Sequence, residues 1–174
     1  MRSDYISGDV FSHVLAALTP PNRLALALSA LTGLRISDCL GLQTERLKSS
    51  RNNKITVTEQ KTGKKRRIYI PNNLYREMLS QAGRYYVFEN RFDEKKPRTR
   101  QAVYKDIKRA AKMFRISSKL QVSPHSARKL YAVGVYGKSG NIKKVQELLN
   151  HNDEAVTMLY ALADELTAKK LKRK

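Results

Sequence analysis

The stretch PHSARKLYAVGVYGKSGNIKKVQELLNHNDEAVTMLY, Pro124 to Tyr160, decides how the rest of the chain is read. Ser123-Pro124 opens a helix, His125 to about Tyr136, because proline suits the first helical position. Gly137 to Gly140 reads as a turn, and Asn141 as the cap of a helix from Ile142 to Leu149. Asp153 caps a last helix running through Tyr160. On this arrangement His125 and Arg128 lie one helical turn apart and point from one face. His151 and Tyr160 follow across a break at Asn150 to Asp153. Two imidazoles, a guanidinium and a phenol within so short a span form a set suited to phosphoryl transfer.

The charge of the whole chain agrees with a phosphate-bearing partner. Across 174 residues, 35 Lys+Arg stand against 15 Asp+Glu, a net +20 spread along the sequence. Each Lys or Arg that meets a phosphate releases condensed counterions, so a polyanion is the expected partner. A ribosomal-type basic protein is the plainer reading of charge alone. With 41% hydrophobic residues the chain can bury a core, and its length suits one domain, 1–174. Cys39 is the only cysteine, sits in an apolar run, and reads as a small core residue. No apolar run approaches the roughly 18 residues of a membrane span. The start, MRSDYISGDVF, lacks the apolar core of a signal peptide, so a reducing cytoplasmic setting is expected.

Upstream, Ser7 or Asp9 caps a helix whose Val10, Val14, Leu15 and Leu18 share a face. Pro20-Pro21 ends it and opens the next, about Asn22 to Leu31, apolar nearly all round and therefore buried. Gly33 breaks that helix, Arg35 stands just beyond, and a short helix covers about Ile36 to Leu42. Lys54 to Thr58 and Arg66 to Ile70 alternate as strands, with a turn signal at Thr62-Gly63. They form a hairpin carrying Lys61, Lys64 and Lys65 near its tip. Asn72 or Asn73 caps a helix to about Gln81, and Tyr85 to Phe88 is a short apolar stretch. Thr99 caps a helix, Gln101 to Phe114, with Val103, Ile107, Ala110, Ala111 and Phe114 on one stripe. Lys64, Lys65, Arg66, Arg100, Lys105, Lys108 and Arg109 are the candidate DNA-facing cations. The end, AKKLKRK, is a basic tail. The expected fold is mainly α with a small antiparallel β-hairpin or three-stranded sheet.

Cleaving a phosphodiester without a metal requires an in-line nucleophile, cations on the non-bridging oxygens, an acid for the leaving oxygen and a proton acceptor. Asp153 and Glu154 sit at a helix start, where capping accounts for them, so no carboxylate cluster offers itself to magnesium. Arginine is the natural substitute, since its fork matches two phosphate oxygens.

Four ordered stretches, TGLRISDCLGL, KTGKKRRIYIP, PHSAR and LLNHNDEAVTMLY, resemble the signature boxes of the tyrosine recombinases, the phage-integrase and Xer-type enzymes. The resemblance covers about Ala27 to Tyr160 and implies that family's catalytic-domain fold. It implies Tyr160 as nucleophile, with Arg35 and Arg128 as the phosphate clamp and Asp38 supporting the clamp. It further implies Lys61 as the acid for the 5′-oxygen, with Lys64 and Lys65 as rivals, and His125 and His151 assisting proton transfer and holding the phosphate. Tyr131 and Tyr136 read as packing residues. Ala127 replaces a usual leucine and Asn150 a usual glycine, and neither change removes a catalytic group.

The implied function is site-specific recombination through a 3′-phosphotyrosyl link, with no metal or cofactor, on double-stranded DNA. It implies a tetramer on paired sites, with a monomer open when free, in a prokaryotic cell and with phage or mobile-element origin open. The family's N-terminal core-binding domain is not found here, so the chain reads as a catalytic-domain fragment or a minimal member, with 161–174 a C-terminal helix or tail. A type IB topoisomerase, a telomere resolvase and a DNA-binding protein without catalysis remain the alternatives.

Overall fold

The computed structural model describes residues 4–116 and 120–149. Its centre is α2 (Pro20–Thr32), which packs against most of the other helices. Leu24, Ala25, Leu26 and Leu28 of α2 are buried on several sides, as its unbroken apolar sequence requires. Each fully buried leucine contributes about 1.5–3 kcal/mol relative to an exposed one. Pro20 and Pro21 start α2, and Gly33 ends it at φ 69°. That left-handed position is open to glycine at little cost. Tyr131 of α7 (Pro124–Ser139) adds a steric reason for glycine, because a Cβ built on Gly33 would fall 2.6 Å from Tyr131 Cε1.

In front of α2 lies α1 (Gly8–Ala16), capped by the Ser7 hydroxyl. Behind it come two single-turn helices, α3 (Ile36–Leu40) and α4 (Thr44–Lys48); the second was not expected from sequence. The hairpin follows as β1 (Lys54–Thr58) and β2 (Lys65–Tyr69), paired Ile55 with Ile68 and Val57 with Arg66. Among the described residues the sheet has two strands, not three; Tyr86 adds only an isolated bridge to Gln43. The helix α5 (Asn72–Ser80) starts from Pro71, whose side chain has no acceptor to cap it, and the Asn72 side-chain oxygen accepts from the Asn53 side-chain amide. Thr99 caps α6 (Arg100–Met113), whose Val103, Ile107, Ala110 and Ala111 enter the core as their spacing predicts.

The turn expected at Gly137 to Gly140 is corrected. The helix α7 runs on through Gly137 to Ser139, and only Gly140, at φ 60°, ends it. Packing of α7 on α2 and on α8 (Ile142–Leu149) outweighs the roughly 1 kcal/mol helix penalty of one glycine. Asn141 caps α8 through its side-chain oxygen, which accepts from Lys144 N–H. Cys39 is wholly buried, and desolvation pushes its thiol far above the usual range, so it is an inert core group. The expected helix through Tyr160, the break at Asn150 to Asp153 and the basic tail lie outside the described residues.

Candidate active site

The left-handed exit of α2 delivers Arg35 to the start of α3 in an extended conformation. Arg35 Nη1 donates to Glu59 Oε2 at 2.7 Å, and the Glu59 side chain is wholly buried. Arg66 Nη1 lies 3.5 Å from Glu59 Oε1, while Arg66 Nη2 donates to the Thr32 carbonyl and the guanidinium sits 5.9 Å over the Tyr131 ring. One buried carboxylate thus stands between two arginines.

A second tie joins α3 to the hairpin. Asp38, also buried, accepts from the Gln60 backbone N–H at 2.9 Å. Residues 35 and 38 therefore grip residues 59 and 60, and Lys61 follows directly, exposed on the turn. Thr62 donates to Glu59, and Gly63, at φ 67°, closes the turn by donating its N–H to the Glu59 carbonyl.

His125 and Arg128 occupy the first turn of α7, behind a capping box formed by Ser123 and Ser126. Arg128 is 2% exposed and donates from Nη2 to the Leu149 carbonyl at 3.1 Å, so the end of α8 helps to fix it. Partial burial, then the cations of Arg128, Arg35 and Lys129, hold the His125 imidazole below its usual pKa although the residue reaches solvent. It therefore favours the neutral form, which can accept a proton.

Arg35, His125 and Arg128 line one open cleft of about 400 Å³. Its far wall is α6, which supplies Arg100, Tyr104 and Lys105. Lys108 continues that side, its ammonium 5.4 Å over the Tyr104 ring. A cleft walled by four cations and one imidazole suits a single anionic group such as a phosphodiester. Lys61, Lys64 and Lys65 are exposed on the hairpin outside the set that lines the cleft. His151 and Tyr160 lie outside the described residues.

Two of the expected DNA-facing cations are engaged within the protein, Arg109 while still exposed. Arg66 is turned inward, because the register places it opposite buried Val57 and on the face of Ile68. Arg109 bends back along α6 to Asp106 at 2.7 Å and to the Ala17 carbonyl. Asp38 differs too: the carboxylate that meets Arg35 is Glu59, while Asp38 holds the hairpin. Glu59 was missed by sequence reasoning, although it continues the inward alternation of Ile55 and Val57.

The sequence matches the family model described as the phage integrase family over residues 5–166. The chain belongs to that family. The match begins well before Ala27 and so takes in α1. Among phage integrase relatives, the chain is 30% identical over 142 residues to the probable integrase/recombinase YoeC of Bacillus subtilis (strain 168), covering 79% of this chain and 75% of that one. It is 31% identical over 165 residues to a tyrosine recombinase of Thermosipho africanus (strain TCF52B), covering 90% of this chain and 56% of that one. Its fold matches a lambda integrase dimer bound to a COC′ core site with a TM-score of 0.70 at 21% identity, over 92% of this chain and 60% of that one. The chain thus spans three quarters of the first relative and little more than half of the second. Mainly helical with one small hairpin, it has the catalytic-domain fold of the tyrosine recombinases.

Proposed function

We propose that this chain is the catalytic domain of a site-specific DNA recombinase that cuts and rejoins strands through a 3′-phosphotyrosyl intermediate. The observation that carries the reading is the convergence of Arg35, His125 and Arg128, some ninety residues apart in sequence, on one cationic cleft beside the Lys61 hairpin. In this mechanism the Tyr160 oxygen attacks the scissile phosphorus and its proton passes to a nearby base. The bond to the 5′-oxygen breaks, and Lys61 protonates that oxygen as it leaves. Arg35 and Arg128 stabilise the charge on the non-bridging oxygens, with His125 and His151 completing the hold. Attack by a partner strand's 5′-hydroxyl reverses the step, so the covalent link conserves the bond and no nucleotide hydrolysis is required.

Arg100, Lys105 and Lys108 on α6, with Lys64 and Lys65 on the hairpin, face the flanking DNA in this reading. Full exchange would assemble four protomers on two duplex sites, with a monomer open for the free chain. Among the described residues no helix is long and apolar enough to cross a membrane. In this reading the chain acts on DNA inside a prokaryotic cell, in its cytoplasm or on the nucleoid.

The test uses a pool of nicked duplexes with a randomised centre, from which covalent protein–DNA adducts are recovered under denaturing conditions and sequenced. Adducts at one enriched sequence, absent with Tyr160→Phe, support recombination. Supercoil relaxation without strand exchange would move the assignment to a type IB topoisomerase. Retention of DNA with no adduct would leave a binding protein that has lost catalysis.

A further inference from the structure

Glu59 and Arg66 are an opposite-charge pair on the inward face of the hairpin, where β1 and β2 otherwise present Ile55, Val57 and Ile68 to the core. Desolvating charges at such a place costs more than apolar side chains would, so the pair adds little to stability by itself. Its contacts lead to the cleft. Glu59 holds Arg35 at 2.7 Å and accepts from Thr62, the residue next to Lys61. Arg66 meets the other Glu59 oxygen, the Thr32 carbonyl just ahead of Arg35, and the Tyr131 ring one turn beyond Arg128.

Resting on the recombinase reading, we propose that Glu59 is a positioning residue that sets Arg35 and the Lys61 turn in one register, and that Arg66 keeps this clamp cationic. The charge count gives the reason for Arg66. A carboxylate paired with Arg35 alone would be a neutral pair with little left for a phosphate. Among these three groups, two arginines against one carboxylate leave one positive charge, and buried Asp38 beside them is offset by Arg128. Arg35 carries five N–H donors, so the donor given to Glu59 leaves others for the cleft it lines. Glu59 thus fixes the guanidinium plane before DNA arrives, and a misplacement of about 1 Å at such a group costs about 100-fold in rate.

The experiment measures single-turnover adduct formation on the nicked duplex selected above, together with DNA affinity and thermal unfolding. Glu59→Gln, equal in shape, should lower the adduct rate about 10- to 100-fold with DNA affinity within about twofold. Arg66→Lys should retain most of the rate, and Arg66→Gln should lose about as much as Glu59→Gln. A second duplex carries a methyl group in place of one non-bridging oxygen of the scissile phosphate. That centre is neutral in the ground state and carries one negative charge fewer in the transition state for the clamp to hold, so the Glu59→Gln deficit should shrink to about twofold there. A deficit of equal size on both duplexes, or one that follows the loss of folded protein, would show a merely structural role and overturn the proposal. Unchanged cleavage by Glu59→Gln would overturn it as well, while leaving the recombinase reading intact. No adduct from the unsubstituted chain would remove both.

Discussion

Replacing Gly33 by alanine tests how the end of α2 is seated against α7. Gly33 sits at φ 69°, and a left-handed conformation costs a residue with a Cβ about 1–2 kcal/mol. The new Cβ also falls 2.6 Å from Tyr131 Cε1, well inside normal contact, so the ring must move. Overpacking of this kind adds about 1–3 kcal/mol, for a total of about 2–5 kcal/mol. Gly63 provides the control: its φ is 67°, yet nothing lies within 4 Å of a built Cβ. Gly63→Ala should therefore cost only about 1–2 kcal/mol. Urea unfolding followed by circular dichroism reads both values, with an unchanged slope showing that the unfolded states are comparable. Trimming Tyr131 to alanine should reduce the penalty of Gly33→Ala to that of Gly63→Ala, since the clash is gone and the strain remains. Equal penalties for the two glycines with Tyr131 in place would refute the packing of α7 described here.

Three further outcomes are expected. Because the folded His125 pKa is lowered, its contribution to stability is complete above about pH 6.5 and declines as pH falls through the lowered folded value; His125→Gln should remove that acid limb from a pH series of unfolding midpoints. Lys61→Ala should slow adduct formation about 10²- to 10⁴-fold and recover on a duplex whose leaving 5′-oxygen is replaced by sulfur, which departs without a proton; the same behaviour from Lys64→Ala instead would move the acid. Arg100→Ala and Lys105→Ala should each lower the slope of log affinity against log salt by about 0.9, measured by fluorescence anisotropy.

Much of this architecture is legible in the residue pattern because local rules and tertiary demand agree. The all-round apolar sequence of α2 requires burial, the alternation of KITVT requires a strand, and Ser123-Pro124 requires a helix start. Where they disagree the sequence misleads. Gly137 looks like a terminator, but α7 is held on both sides and the helix continues. Arg66 looks like one more surface cation when basic residues are counted by composition. Period-two alternation puts it on the face of Ile68, and the same rule puts Glu59 on the face of Ile55 and Val57. Two opposite charges at inward positions of one hairpin were the available sign of a built site. The Arg109–Asp106 pair was available from its i,i+3 spacing on α6, whereas the Ala17 carbonyl is brought to Arg109 only by packing of α1 on α6. The short α4 carries too few residues for any periodicity to appear.

The central claim is that one tyrosine among nine carries the DNA. Adducts formed on the selected nicked duplex can be digested with protease and nuclease, and the nucleotide-bearing peptide sequenced by mass spectrometry. The recombinase account predicts a 3′-phosphotyrosyl link on the peptide containing Tyr160, with that peptide unmodified in the Arg35→Ala chain. A link through Tyr131, Tyr136 or any other tyrosine would contradict it.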